Sequence, residues 1–306
     1  MASLVTGGAG FIGSNLVESL KGAVVIDDFS TANKDSSDFV KSSGARLFKG
    51  SINDAKLLRE ALAGVDTVYH EAAVPSVPRS VRDPLTTNTA NVSGTLSLLV
   101  ACVDAGVKKI VFASSSSVYG DTPTLPKVET MQPNPKSPYA VSKLAGEHYM
   151  RVFGELYGLK TASLRYFNVF GPRQNPESEY AAVIPRFTKA AFANEPLVIY
   201  GDGSQTRDFT YVKDVVEANK KAAGKSGIFN IAGGKQVTIR SLAEKIIKLA
   251  GSKSEINCFP ERKGDVKHSL ADISLAKKEL GWAPKYTLDK GLREYIGNYA
   301  GTYLGK

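Results

Sequence analysis

The sequence predicts an α/β fold, a doubly wound parallel sheet followed by a smaller α/β lobe. Three observations carry this prediction. Short apolar runs alternate with longer amphipathic stretches through the first half of the chain. A glycine-rich turn follows directly on the first of those runs, and after Gly171 the pattern breaks into pieces punctuated by Pro and Gly.

The short apolar runs that read as strands are Ser3 to Thr6, Ala23 to Asp27, Ala45 to Lys49, Thr67 to His70, Ile110 to Ser114 and Thr161 to Tyr166. Between them, amphipathic stretches predict helices at Phe11 to Leu20, Asp54 to Ala61, Val92 to Ala105 and Pro138 to Tyr157. Right-handed crossovers between such units wind them into one sheet covered on both faces. Beyond Gly171 the predicted helices are Arg240 to Leu249 and Ile273 to Leu280. The expected division is a larger domain over residues 1–168 and a smaller one over 169–306. Its boundary is soft, since Asp208 to Tyr211 and Ile228 to Ile231, within residues 207–232, could return to the main sheet. No internal repeat or low-complexity tract is visible.

A length of 306 residues, 42% hydrophobic and 23% charged, is enough for a large core. The formal charge of +9 favours an anionic partner. The Lys and Arg residues are scattered and no basic run carries interleaved aromatics, so an acidic small molecule is expected and nucleic acid is not. The two cysteines, Cys102 and Cys258, are far apart and support neither a disulfide framework nor a metal site. Met1 leads straight into a strand without a charged leader or cleavage site, and no apolar run is long enough to cross a bilayer. The expectation is a soluble, uncleaved cytoplasmic protein without a membrane partner.

Directly after the first strand comes Thr6-Gly7-Gly8-Ala9-Gly10-Phe11-Ile12-Gly13, with glycines in the spacing GxxGxxG and a helix opening behind them. A tight turn, a close backbone approach to a pyrophosphate and close helix packing each require a missing side chain. The helix N-terminus offers free N–H groups to the phosphate. The second strand ends at Asp27, about 20 residues on, where a carboxylate accepts from an adenosine ribose. That context separates a Rossmann dinucleotide site from an ordinary glycine turn. A carboxylate also repels a 2′-phosphate, so NAD is favoured over NADP, with Lys34 nearby read as solvated.

Tyr139-Ala140-Val141-Ser142-Lys143 opens a helix just after Pro138, and places the Tyr and Lys side chains at i and i+4 on one face. An ammonium beside a phenol is expected to lower its pKa and make Tyr139 usable as a base, and a nicotinamide cation would push the same way. Alone, this spacing reads as packing plus a solvated charge; beside the glycine loop it reads as catalytic. Ser114-Ser115-Ser116-Ser117 ends a strand at the sheet edge where open α/β sheets place their sites, and a hydroxyl there can relay a proton to Tyr139. One or two of the four serines are expected merely to satisfy loop backbone.

Together, TGGAGFIG, SSSSVYG, YAVSK, RYFNVFGPR, GDGSQTRDF and RKGD resemble the extended short-chain dehydrogenase/reductase family over essentially the whole chain. Within it the chain resembles the UDP-hexose 4-epimerases, particularly the branch acting on UDP-N-acetylglucosamine and UDP-N-acetylgalactosamine. The resemblance implies a catalytic trio of Ser115, Tyr139 and Lys143. It implies NAD contacts at Gly7, Gly10, Phe11, Ile12, Gly13, Asp27, Asp28 and Ser30, and further along at Ile52, Ala72, Asn91, Ser114, Tyr139 and Lys143. Asn91 also reads as a helix-start residue. Similar dehydratases carry an Asp-Glu pair where this chain has Ser116-Ser117, and elimination of water needs such an acid and base, so reversible oxidation at C4 is what remains.

For the substrate, the resemblance implies that Asn168 touches the diphosphate and that Ala182 and Val183 border the uracil, with Tyr200 in the same site. It places Arg207 and Arg262 on phosphate oxygens and Asp265 on a ribose hydroxyl; guanidinium forks suit phosphate. Ser76, Arg79, Ser115, Ser116 and Ser117 fall near the hexose. Ser269 stands where similar enzymes restricted to glucose and galactose carry a bulky Tyr, leaving room for an N-acetyl group. Two departures stand out: Ser51-Ile52 replaces the usual Asp-Ile, and Glu71 replaces an apolar residue or Gln. A UDP-glucuronate 4-epimerase, with Arg79 on the carboxylate, and a non-catalytic NAD-sensing relative are the competing readings. Similar enzymes dimerise through a four-helix contact, which implies a homodimer here through Val92 to Ala105 and Pro138 to Tyr157.

Overall fold

The computed structural model describes residues 2–177, 181–261 and 267–305, the side chain of Leu304 excepted. Six strands of the first half, β1 (Ala2–Thr6), β2 (Val24–Asp27), β3 (Arg46–Lys49), β4 (Val65–His70), β5 (Lys109–Ser115) and β6 (Lys160–Tyr166), lie parallel in one sheet. A two-stranded parallel pair follows, β7 (Val169–Phe170) with β10 (Thr210–Tyr211). Next come β8 (Leu197–Tyr200) with β13 (Ile256–Phe259) and β9 (Thr206–Asp208) with β12 (Gln236–Thr238). The strand β11 (Gly227–Ile231) pairs with β6 and completes a seven-stranded sheet in the order β11-β6-β5-β4-β1-β2-β3. The order reverses between β1 and β4. An open α/β sheet has its crevice there, outside the carboxyl ends of the strands.

Helices α1 (Phe11–Ser19), α2 (Lys34–Ser42), α3 (Ala55–Ala61), α4 (Val77–Arg82), α5 (Pro84–Asn88), α6 (Gly94–Asp104) and α7 (Pro138–Tyr157) belong to the first half. The second half adds α8 (Val183–Ala193), α9 (Val212–Ala222), α10 (Ile239–Ala250), α11 (Ser274–Leu280) and α12 (Leu288–Leu304). Two apolar clusters fill the faces of the main sheet, one around Val5, Val111 and Leu164 and the other around Leu4, Ile110 and Phe112. Neighbouring strand residues alternate between the clusters because side chains along a strand point to opposite faces. A third cluster, around Phe187, Leu242 and Leu292, holds the second lobe. Residues of α11 and Trp282 pack into the first of these clusters, so the late part of the chain also covers the main sheet.

The structure departs from the sequence expectation in several elements. The predicted Val92 to Ala105 helix begins with a π-helical turn, Thr89–Ser93, and turns α-helical at Gly94. Asp54 stands outside its helix as the cap, accepting from the N–H groups of Lys56 and Leu57. The helices α2, α4, α5, α8, α9 and α12 have no counterpart in the sequence expectation. Gly291, Gly297 and Gly301 read locally as breakers of α12, yet a Cβ on Gly291 would come within 2.8 Å of Phe170. Tertiary packing here outweighs local propensity. Among the described residues no helix is long and apolar enough to cross a membrane.

Candidate active site

The glycine loop is shaped by close approach. Gly7 has φ of +69°, and a Cβ there would sit 2.6 Å from the Ala72 nitrogen; one on Gly13 would sit 2.1 Å from the Gly7 carbonyl oxygen. Gly7 lets the loop close onto the chain that follows β4, and Gly13 lets α1 pack against the loop. Gly10 meets only the Gly7 carbonyl, at 3.1 Å, and caps α1 without a side chain. The first-turn N–H groups of α1 are therefore left to a bound phosphate, and a pyrophosphate fits this cradle. Asp27 is buried at the end of β2: one oxygen accepts from Ala9 N at 2.8 Å and the other from Phe29 N at 2.7 Å. Its carboxylate thus holds the glycine loop while lining the cleft beside it, and burial raises its pKa.

The cleft runs from Ile52, Asp28 and Ser30 past Ala72 to Gly10, Phe11, Ile12 and Gly13, and on to Ser76 and Arg79. Ser51 lines the same end, so the lost acceptor lies where the sequence placed it. Ser76 uses its hydroxyl to cap α4, accepting from Arg79 N at 3.2 Å.

Behind Glu71, which lines this cleft, stand the catalytic candidates. Ser137 caps α7, Pro138 starts it, and Ser80 Oγ accepts from Tyr139 N at 3.1 Å. Gly146 lets α7 press onto β5, since a Cβ there would lie 2.4 Å from the Phe112 ring. That contact sets Lys143 over Phe112, with Nζ donating to the Ala113 carbonyl at 2.8 Å. Ser115 leaves the end of β5, accepts from Ser117 N at 3.2 Å, and stands close enough to the Tyr139 phenol to act on its ionisation. The structure therefore brings Ser115, Tyr139 and Lys143 together, with Ser116 and Ser117 half-buried in the turn that follows.

Three expectations need correction. Lys143 was expected to lower the Tyr139 pKa. Instead burial pushes the phenol up to about 12, with the nearby Ser115 hydroxyl opposing the rise and Glu71 adding to it. Lys143 itself is pushed down to about 8 by burial, its Nζ lying 5.9 Å from the phenol ring centroid. Ser114 does not offer its hydroxyl to the cleft, because Oγ donates to Glu147 Oε1 at 2.5 Å inside the core. Asn91 is fully engaged by protein: its amide donates to Ser142 Oγ at 3.0 Å and its oxygen accepts from Val74 N at 2.8 Å. It ties the turn before α6 to α7 and steadies the site from behind.

His70 is a structural residue. Its two ring nitrogens meet Thr6 and Thr95 hydroxyls at 2.7 and 2.8 Å, and burial drives its pKa down to about 3, so the ring is neutral.

A second cavity opens in the later lobe, lined by Asn168, Ala182, Val183, Tyr200 and Arg207. Ala182 lines the dinucleotide cleft as well, so the two spaces meet at that residue. Asn168 has φ of +34°, and its amide donates to the Asp208 carbonyl at 2.9 Å. Arg207 Nη1 donates to the carbonyls of Thr206 and Lys267. Ser269 N donates to the Thr206 carbonyl at 3.1 Å, which places this half-buried residue beside Arg207. Arg262 and Asp265 lie outside the described residues. Arg186 and Gln205 also line this cavity, and Ser80 supports Tyr139; none of the three stood out in the sequence, since isolated polar residues carry no local signal.

The NAD dependent epimerase/dehydratase family model matches residues 3–232. The chain belongs to this family. Family membership and the glycine cradle agree on the cofactor, which is NAD. The chain is 40% identical over 306 residues to the UDP-glucose 4-epimerase of Mycolicibacterium smegmatis, covering 97% of each. It superposes on the UDP-N-acetylglucosamine 4-epimerase of Methanobrevibacter ruminantium, solved with UDP-N-acetylmuramic acid. That match has a TM-score of 0.94, 41% identity and 98% coverage of each chain. It also superposes on the UDP-glucuronic acid 4-epimerase of Bacillus cereus, solved with UDP-glucuronic acid and NAD. Here the TM-score is 0.90 at 34% identity, covering 99% of this family member and 100% of the other chain.

Proposed function

We propose that this chain reversibly inverts C4 of a UDP-N-acetylhexosamine, through Ser115, Tyr139 and Lys143. The coarser activity, an NAD-dependent UDP-sugar 4-epimerase and hence an isomerase, is the one its close relatives carry. The observation that supports the mechanism is that the end of β5 and the start of α7 bring Ser115, Tyr139 and Lys143 together, with Lys143 held on the Ala113 carbonyl and Ser115 close enough to act on the phenol. NAD, which the glycine loop and Asp27 would hold, would supply reversible hydride acceptance at C4. Tyr139 takes the proton of the C4 hydroxyl, and Ser115 hydrogen-bonds that oxygen and steadies it as it becomes a ketone. Lys143, held by Ala113, adds positive charge near the phenol. The keto sugar turns over before hydride returns to its other face, so the nucleotide must be held firmly and the sugar loosely.

Asn168, Ala182, Val183, Tyr200 and Arg207 in the second cavity are proposed to hold the nucleotide, with Arg262 and Asp265. The same reading assigns NAD to residues 1–168 together with the returning segments, and the UDP-sugar to 169–306. Ser269 supports the acetamido sugar because its small side chain leaves room beside Arg207. Arg79, on the cleft wall, favours UDP-glucuronate as a second reading. We further propose a homodimer, supported by exposed apolar side chains at Val100 on α6 and Val141 on α7, and a cytoplasmic location, in keeping with two free cysteines.

Incubation with UDP-glucose, UDP-galactose, UDP-N-acetylglucosamine and UDP-glucuronate without added NAD, with products separated by C4 configuration, tests this. Interconversion of the acetamido pair supports the proposal. Turnover of UDP-glucose alone refutes the size argument at Ser269.

A further inference from the structure

Where the dinucleotide cleft meets the catalytic helix, the chain carries an acid that the proposed proton transfer does not use. Glu71 directly follows β4. Its N–H donates to the Thr6 carbonyl at 3.1 Å, at the mouth of the glycine loop, and the residue lines the same cleft as Gly10 and Ile12. Its Oε1 accepts from the Tyr166 hydroxyl at 2.8 Å, and that hydroxyl in turn accepts from Asn219 Nδ2 at 2.7 Å. The titratable groups acting on Glu71 are Tyr166 from β6, and Lys143 and Tyr139 from α7. Glu71 thus joins the glycine-loop end of the cleft to its catalytic end.

A buried carboxylate is costly unless positive charge stands near it. Lys143 compensates only in part, since burial still pushes Glu71 up to about 7. The oxidised nicotinamide ring is a second cation, and it loses its charge on accepting hydride. Chemistry requires that ring beside the carbon whose hydroxyl Tyr139 deprotonates, at the end of the cleft that Glu71 influences.

We propose that Glu71 favours the oxidised, cationic form of the bound nicotinamide over the reduced, neutral form, an inference that rests on the NAD-dependent epimerase reading. Glu71 makes and breaks no bond: the C4–H bond breaks with its electron pair to the ring, and the hydroxyl proton goes to Tyr139. Reduced cofactor and keto sugar form together. A residue that disfavours the first shortens the life of the second, and so limits escape of a reactive ketone.

Dissociation constants for NADH, from its fluorescence, and for NAD, by displacement, give the preference for the oxidised form in the full-length chain. At about pH 8, Glu71→Gln is expected to lower that preference about tenfold, the lower end of what one nearby opposite charge does to an ionisation equilibrium. The wild-type preference is expected to fall as pH drops through about 7, where Glu71 gains its proton, more steeply than in Glu71→Gln. Glu71 also raises the Lys143 pKa, so Lys143 titrates lower in Glu71→Gln, and the comparison is repeated in a Lys143→Met background where that contribution is absent from both proteins. A preference within about twofold of wild type at this pH overturns the inference. If Glu71→Gln does not fold, Tyr166→Phe decides. Losing the donor raises the Glu71 pKa, so the midpoint of the pH dependence moves up; an unmoved midpoint overturns the inference. Binding of neither cofactor form by the wild-type chain overturns the epimerase reading itself.

Discussion

Lys143 reaches for main chain and not for the phenol: its Nζ donates to the Ala113 carbonyl at 2.8 Å and lies 5.9 Å from the centre of the Tyr139 ring. Ala113 lies two residues before Ser115 on β5, so one strand end positions both the hydroxyl and the ammonium. Burial governs the ionisation of Tyr139, whose pKa stands at about 12. The phenol is protonated at neutral pH and gives up its proton only with help from a bound cation.

Tyr139→Phe removes the proton acceptor while keeping the ring. Its epimerase kcat is expected to fall about 100-fold or more, the scale of general acid–base catalysis, while NAD stays bound. Assays of C4 inversion alongside cofactor content check this. An active Tyr139→Phe would place the base elsewhere.

Two loop glycines are expected to behave differently. Gly13→Ala drives a Cβ to 2.1 Å from the Gly7 carbonyl, so α1 must shift, at a cost of about 1–3 kcal/mol in urea unfolding. Gly10→Ala meets only a 3.1 Å contact and is expected to fold nearly as wild type while losing NAD, because the methyl enters the phosphate cradle.

Glu147 and Arg165 form an ion pair in which each side chain is 2% exposed, and Ser114 donates to the same carboxylate. Glu147→Gln leaves the guanidinium without its counter-charge and is expected to destabilise the protein by about 3–5 kcal/mol. Chemical denaturation measures it, and equal stability of the two proteins would refute the estimate.

His70 gives the fold a specific acid sensitivity. Its folded pKa of about 3 lies below its ordinary value of 6.5, so between these values the unfolded chain binds the extra proton. Stability is full above the ordinary value and falls as pH drops, by about 1.4 kcal/mol per pH unit from this group. A His70→Gln variant is expected to show a shallower loss between about pH 6 and pH 4.

Ser269→Tyr tests the sugar. The variant is expected to lose turnover of the acetamido sugar by raising KM about tenfold or more, while UDP-glucose turnover changes little. Equal loss on both substrates would mean that the residue shapes the lobe and not the sugar pocket.

The sequence by itself determined the parallel sheet, the glycine loop with Asp27, and the Tyr139-to-Lys143 spacing on one helix face. Each of these is a local pattern whose physics acts within a few residues: strand and helix periodicity, positive φ at Gly7, side chains one helical turn apart. Tertiary structure decided the rest. It turned Ser114 into the core, because Glu147 and Arg165 meet it from two other elements. It gave Asn91 to Ser142, seated α12 despite its glycines, and reversed the expected shift of Tyr139. It also gave Glu71 the partner Tyr166, and Tyr166 in turn the partner Asn219, from elements far along the chain. Burial and hydrogen-bond partners depend on which segments the fold brings together, and ionisation follows burial more strongly than it follows neighbours in sequence.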